Sequence, residues 1–281
     1  MGDLFEDTAV VGGENGQYTS GIRDDWAGFG PLGGYLAAIA LRAAGAASQF
    51  ERPATFSCHY LSPADFGPVQ LSVRRVFGGK RTESLHVTMT QGARAILEAT
   101  AWTLGEIAPG LDDHGTLAMP ESPPPESLSN WEELPAPMAP SPRVVLWRNI
   151  DLRLIDWQGW HAAGEPRIDG WYRFRPRATM PDAFTEAARS LVIMDAAMWL
   201  AAMNPHVRRA RILAPTVELT VRFYHPARTE WLRCHARSDI ALGGLIDGRA
   251  MVWSRDGALV AHGGCQMLYR AHGPLPSGAV P

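Results

Sequence analysis

The sequence predicts an α+β protein in which one arrangement, a long apolar helix followed by a meander of antiparallel strands, occurs twice. Three observations carry that expectation. The order of elements repeats along the chain, a proline-dense stretch separates the two copies, and each copy holds a helix that is apolar nearly all the way round.

In the first copy a glycine-rich lead-in, GFGPLGG, opens onto a small, apolar, helix-forming run from Gly34 to about Ala47. Four segments of alternating character follow: TFSCHYL ending at Pro63, VQLSVRRVF, SLHVTMTQ and RAILEATAWT. Alternation with period two is the signature of half-buried strands. From Pro120 to Pro142 the chain reads PESPPPESLSNWEELPAPMAPSP. Proline at that density excludes helix and central strand, so the stretch reads as a semi-rigid extended linker.

The second copy opens with a helix from about Asp182 to Met203, PDAFTEAARSLVIMDAAMWLAAM. It continues with TVELTVRFY ending at His225-Pro226, EWLRCHARSDI, GRAMVWSRDG and LVAHGGCQMLYR. Laying Pro63 on Pro226 gives an offset of 163, which also lays Thr103 on Gln266. The expected units are 1–105 and 146–272, joined by 106–145, with a flexible tail at 273–281. A helix followed by antiparallel strands packs on one face of its sheet.

Neither YLAAIAL nor LVIMDAAMWL has a wet face, so each helix must be wrapped by sheet or by the other unit. A long helix swaddled by a curved antiparallel sheet is the hotdog arrangement, and two in one chain form a pseudo-dimer. Exposed sheet edges would then make a homodimer or higher assembly plausible.

Composition narrows the functional classes. With 281 residues, 46% hydrophobic, 20% charged and a formal charge of −3, the chain reads as an ordinary globular protein. Nothing in those totals suggests a nucleic-acid surface. The Arg208, Arg209 and Arg211 trio reads as a solvated helix end. Cys58, Cys234 and Cys265 lack CxxC spacing, against a disulfide scaffold or structural zinc site. The start, MGDLFEDTAV, has acids where a signal peptide needs bases, and no stretch is long enough to span a bilayer. The expectation is a cytoplasmic protein with no membrane span.

Three polar residues stand out against apolar surroundings. Asp195 sits in LVIMDAAMWL, where burial should raise its pKa. It is either a structural acid satisfied by backbone or arginine, or a general base of the raised-pKa kind. Thr216 begins the strand TVELTVRFY, and Gln266 lies in the closing strand, GGCQMLY. Each has an ordinary structural reading, strand threonine or hydrogen-bonded amide. Together they suit hydrolysis of a thioester: the acid takes a proton from water while the hydroxyl and amide hold it. Gly33-Gly34 could bring backbone amides close to a ligand, or merely allow close packing.

Over most of its length the sequence resembles the type II acyl-CoA thioesterase family, the double-hotdog enzymes. The resemblance runs through FGPLGGYLAAIALRAA, HYLSPADFG and RRVFGGKRTESLHVTMTQGARAILEATAW in the first half. In the second it runs through IDLRLIDW, GWYRFRP, the Asp-bearing helix, PTVELTVRFYHPARTEWL and RDGALVAHGGCQMLYR. It implies hydrolysis of acyl-CoA to acid and CoA, without metal or organic cofactor. It further implies one active site per chain, with Asp195 as base and Thr216 and Gln266 as water holders, the first half having Thr103 in place of the glutamine.

Other classes fare worse. No G-x-S-x-G supports a serine hydrolase. Asn204-Pro205-His206 is a partial match to the Asp-x-Asn-Pro-x-His signature of hotdog hydratases, but Ala202 holds the Asp position and the segment reads better as a helix stop. A non-catalytic acyl-CoA or acyl-carrier binder would not need the Asp/Thr/Gln set.

Overall fold

The computed structural model describes residues 1–106, 115–134, 144–156, 158, 164–206 and 210–274. The chain opens with a short helix α1 (Leu4–Asp7), strands β1 (Val11–Gly12) and β2 (Gln17–Ile22), then the helix α2 (Gly33–Ala47). Strands β3 (Arg52–Tyr60), β4 (Gly67–Gly78), β5 (Thr82–Gln91) and β6 (Arg94–Leu104) complete the first half. The second half has β7 (Ile150–Leu154), β8 (Arg167–Phe174), helix α3 (Ala183–Met203), β9 (Ala210–Leu213) and β10 (Thr216–Phe223). It ends with β11 (Leu232–Leu242), β12 (Leu245–Ser254), β13 (Leu259–Leu268) and β14 (Arg270–Pro274).

Twelve strands form one antiparallel sheet in the order β1-β2-β4-β5-β6-β3-β10-β13-β12-β11-β8-β7. The expected tandem arrangement is therefore present as a continuous sheet, joined where β3 meets β10. At that joint Ser57 lies opposite Thr220, and their hydroxyls are 2.7 Å apart at a separation of 163 residues. The repeat offset read from the sequence thus becomes a pseudo-twofold axis through the sheet centre. The same offset relates Arg74 to Arg237 and His86 to Arg249 in the flanking pairs, Arg74↔His86 and Arg237↔Arg249.

Both long helices lie against the sheet and against each other. They are buried on nearly every side because each has sheet on one face and the other helix across it. Two glycines of α2 set how closely they approach. A Cβ on Gly34 would lie 2.5 Å from the Leu191 carbonyl oxygen, and one on Gly45 would lie 2.6 Å from the Phe184 ring. Because Gly34 meets α3 near Asp195 while Gly45 meets its start, the helices run antiparallel. Asp182 caps α3, accepting from the amides of Phe184 and Thr185 at 3.0 Å each. Helix α2 has no side-chain hydrogen bond at its N-cap, Leu32.

The proline-dense join does not behave as a free spacer over residues 115–134. Trp131 packs edge-on against Trp147 with centroids 4.7 Å apart, and Asn130 donates to Asp151 at 2.6 Å. Arg153 donates to the Leu128 carbonyl at 2.6 Å, while Trp171 and Trp253 donate to the carbonyls of Pro123 and Leu117. Proline has no N–H to enter a ladder, and the carbonyls of this stretch take donors from the second half instead. The expected tail also starts later than residue 273, since β14 runs to Pro274; residues 275–281 lie outside the described residues. Arg208 and Arg209 lie outside them too, and Arg211 falls in β9 rather than at a helix end. Among the described residues no helix is long and apolar enough to cross a membrane.

Candidate active site

Asp195 lies midway along α3 and is 4% exposed. Its carboxylate is held by one backbone amide and one hydroxyl, both from other elements than its own helix. Oδ2 accepts the Gly34 amide at 2.7 Å, and Oδ1 accepts the Thr216 hydroxyl at 3.0 Å. The second helix thus provides the acid, the first helix an amide, and β10 a hydroxyl. The Gly34 amide belongs to the first turn of α2, where orphan donors and the helix dipole favour a negative charge. Burial pushes the Asp195 pKa above the ordinary carboxylate value, and the two hydrogen bonds oppose that rise.

Gly33 and Gly34 stand differently toward the acid. Gly34 allows the helix crossing and has its amide committed to Asp195. Gly33 forms part of the wall beside the acid. A Cβ there would lie 3.1 Å from Asp195 Oδ2 and 3.2 Å from the Tyr60 hydroxyl. Gly33 and Thr216 keep partial exposure, so the carboxylate is approached from the N-terminal end of α2. One turn beyond Asp195, half-buried Trp199 packs with the ring of exposed Phe29, centroids 5.4 Å apart.

Gln266 does not join this group. Its neighbours Cys265 and Met267 are buried, whereas Gln266 is exposed. It lines an open groove of about 380 Å³ on the outer face of the sheet, with His59, Glu218 and Asp247. The physical reason is a one-residue slip. Ser57 pairs with Thr100 but its equivalent Thr220 pairs with Gly264, so the repeat offset is 164 in the last strand. The added residue lies in the β12–β13 turn, which joins Ser254 to Leu259, whereas Gln91 joins Arg94 in the β5–β6 turn. A slip of one turns every side chain to the other face. The counterpart of Gln266 is therefore exposed Trp102, and that of buried Thr103 is Met267.

Two inward groups near Asp195 were not anticipated. Cys265 takes the inward position beside Gln266, with its thiol pKa held well above its ordinary value by burial first and by Asp195 second. Tyr60 ends β3 on the same face as Phe56 and Cys58. The alternation Phe56, Cys58, Tyr60 was the available signal. Asn204, from the hydratase-like triplet, follows the end of α3 and donates to the Glu165 carbonyl at 2.7 Å, as a helix stop would. Among the described residues no group of three His, Cys, Asp or Glu is arranged to hold a metal ion.

Comparison with known families settles which hotdog branch this is. Residues 22–104 match the acyl-CoA thioesterase N-terminal domain, and residues 120–264 match the acyl-CoA thioesterase C-terminal domain. This chain belongs to the acyl-CoA thioesterase family. The thioesterase is accordingly an acyl-CoA hydrolase of double-hotdog architecture. No curated protein matches it by sequence.

Solved structures show the same fold. A hotdog protein of unknown function from Alicyclobacillus acidocaldarius is 22% identical with a TM-score of 0.80, covering 96% of this chain and 99% of that one. The acyl-CoA thioesterase II TesB2 from Mycobacterium marinum is 20% identical with a TM-score of 0.78, covering 98% and 100%. The dehydratase domain of PpsC from Mycobacterium tuberculosis is more distant, at 15% identity and a TM-score of 0.53 over 94% and 99%.

Proposed function

We propose that the thioesterase hydrolyses acyl-CoA at a single site between its halves, with Asp195 as the general base and Thr216 as a positioning residue. The observation that carries this reading is a buried carboxylate clamped by the Gly34 amide of one half and the Thr216 hydroxyl of the other. A water bound to Asp195 gives its proton to the carboxylate as its oxygen attacks the thioester carbonyl carbon. The C–S bond then breaks, and the proton passes to the departing thiolate, leaving free acid and CoA with Asp195 restored. A raised pKa suits this task, because a base that holds the proton until the thiolate leaves must not be too weak.

Thr216 fixes the rotamer of the carboxylate, while Gly34 provides a fixed positive dipole that lets the acid ionise despite burial. The test is thiol release from an acyl-CoA panel, which Asp195→Asn should abolish; hydration of an enoyl-CoA in its place would sink the reading. The cytoplasm is our proposed compartment, supported by three buried cysteines that carry no disulfide. Units near 1–105 and 146–272 are proposed as the domain limits, with residues 115–134 assigned to the second by their contacts. A homodimer would pair through the free edges of the sheet, where β1 spans two residues and β7 five. Light scattering decides it.

A further inference from the structure

The Asp195 pair lacks a donor for the substrate. The Gly34 amide and the Thr216 hydroxyl both donate to the carboxylate itself, and Gln266 faces the other side of the sheet. Hydrolysis moves negative charge onto the thioester oxygen, and a site with all its donors turned toward the base would leave that charge unmet.

One hydroxyl stands beside the acid without a strong partner. The Tyr60 oxygen is shielded from solvent and has no oxygen or nitrogen partner, its neighbour on the strand being the Cys58 thiol, although buried polar groups in folded proteins nearly always find a strong partner. Its position is specific. The point that a Gly33 Cβ would occupy is 3.2 Å from the Tyr60 oxygen and 3.1 Å from Asp195 Oδ2, so the two oxygens flank the same small space. The absence of a side chain at Gly33 keeps that space clear. The titratable groups around the hydroxyl are the Cys58 thiol, two residues back on the same strand face, the Asp195 carboxylate and the Cys265 thiol. A thiol is a weak partner.

We propose that Tyr60 is a third catalytic residue of the Asp195–Thr216 site, its hydroxyl donating a hydrogen bond to the thioester carbonyl oxygen as that oxygen becomes anionic. No proton is transferred in this step. Burial, reinforced by the neighbouring thiols and carboxylate, holds the phenol well above its ordinary pKa, so it remains a donor across the working pH range. The strand explains the placement: β3 pairs with β10 at the centre of the sheet, and its inward residues point at the helix crossing. The first half, which lacks a base of its own, then contributes both the amide that holds the base and the donor that meets the oxyanion.

The proposal rests on the reading of Asp195 as base, and the experiment separates the two. Tyr60→Phe, Asp195→Asn and the wild-type chain are assayed for thiol release from one acyl-CoA over a range of pH, alongside thermal unfolding. Tyr60→Phe removes one buried oxygen atom whose neighbour is a thiol, a weak partner, so its Tm should equal or exceed that of the wild type. Its kcat should fall about a hundredfold, the usual loss for one oxyanion donor. KM should change less than threefold, and the acid limb of the pH profile should stay in place, because both donors to Asp195 remain. Unchanged kcat in Tyr60→Phe while Asp195→Asn is inactive overturns the role of Tyr60 and leaves the base intact. A loss of kcat accompanied by a lowered Tm and a raised KM makes Tyr60 structural and also overturns it. An active Asp195→Asn variant removes the underlying mechanism instead.

Discussion

Replacing Gly34 by alanine tests the helix crossing and the electrostatics of the acid together. The new Cβ would lie 2.5 Å from the Leu191 carbonyl oxygen and 2.9 Å from the Val192 Cα and the Asp195 Cβ. Two of these atoms are backbone, so no rotamer change relieves them. Ordinary contact requires the helices to part by roughly 0.5–1 Å, a gap that forfeits a quarter to a half of the dispersion across it. Overpacking of this kind costs about 1–3 kcal/mol. Stretching the Gly34 amide away from a charged acceptor adds about 1.5–3 kcal/mol. Alanine's better helix propensity offsets roughly 0.5–1 kcal/mol. The net loss is about 3 kcal/mol, which in a chain of this size lowers Tm by roughly 6–12 °C.

The same change weakens one of the two bonds that oppose the burial-driven rise of the Asp195 pKa. The acid limb of kcat/KM should therefore move to higher pH. Calorimetry and a pH–rate profile of Gly34→Ala read the two effects, with Gly30→Ala as control, since a Cβ there meets no close atom. A Gly34→Ala variant with wild-type Tm and an unmoved acid limb would refute both the crossing and the clamp.

Further expectations follow from the same geometry. Thr216→Val should lower kcat by about tenfold to a hundredfold with little change in KM, and should raise the acid limb by removing the donor to Oδ1. Gln266→Leu should leave kcat and KM as they are, because that side chain faces the outer groove; a large loss of kcat would reinstate the glutamine. Asp195→Asn should not destabilise the fold near neutrality. Burial raises the folded-state pKa above the unfolded one, so the acid's stabilising contribution is complete below the unfolded value and is lost as pH rises through the folded value. The variant cannot ionise, and urea midpoints should show its advantage over wild type growing across that rise. Trp131→Ala should cost about 3–5 kcal/mol by urea unfolding, since it empties the contact with Trp147 that straps the proline-dense join to the second half.

The architecture was legible because helix and strand leave different periods in the sequence. The all-round apolar character of α2 and α3 required a partner on every face, and the sheet plus the helix crossing supply them. The offset of 163 was legible too, and it reappears as the Ser57–Thr220 contact on the pseudo-twofold axis. What the offset could not show was the extra residue in the β12–β13 turn, and with a period of two that one residue turned Gln266 outward. Alternation within the strand itself, Cys265 and Met267 against Gln266, was the better guide. The place of Tyr60 follows from the same rule, since the alternation Phe56, Cys58, Tyr60 marks the inward face of its strand. Proline content predicts conformation but says nothing of docking; Trp131, an indole amid prolines, is the sign that the join packs.

Steady-state thiol release from an acyl-CoA by Asp195→Asn, compared with the wild type at the pH optimum of the latter, tests the central claim most directly. The buried clamp predicts a drop in kcat of at least about a hundredfold, with KM retained and the fold at least as stable. Turnover within a few-fold of wild type would show that the base of this thioesterase lies elsewhere.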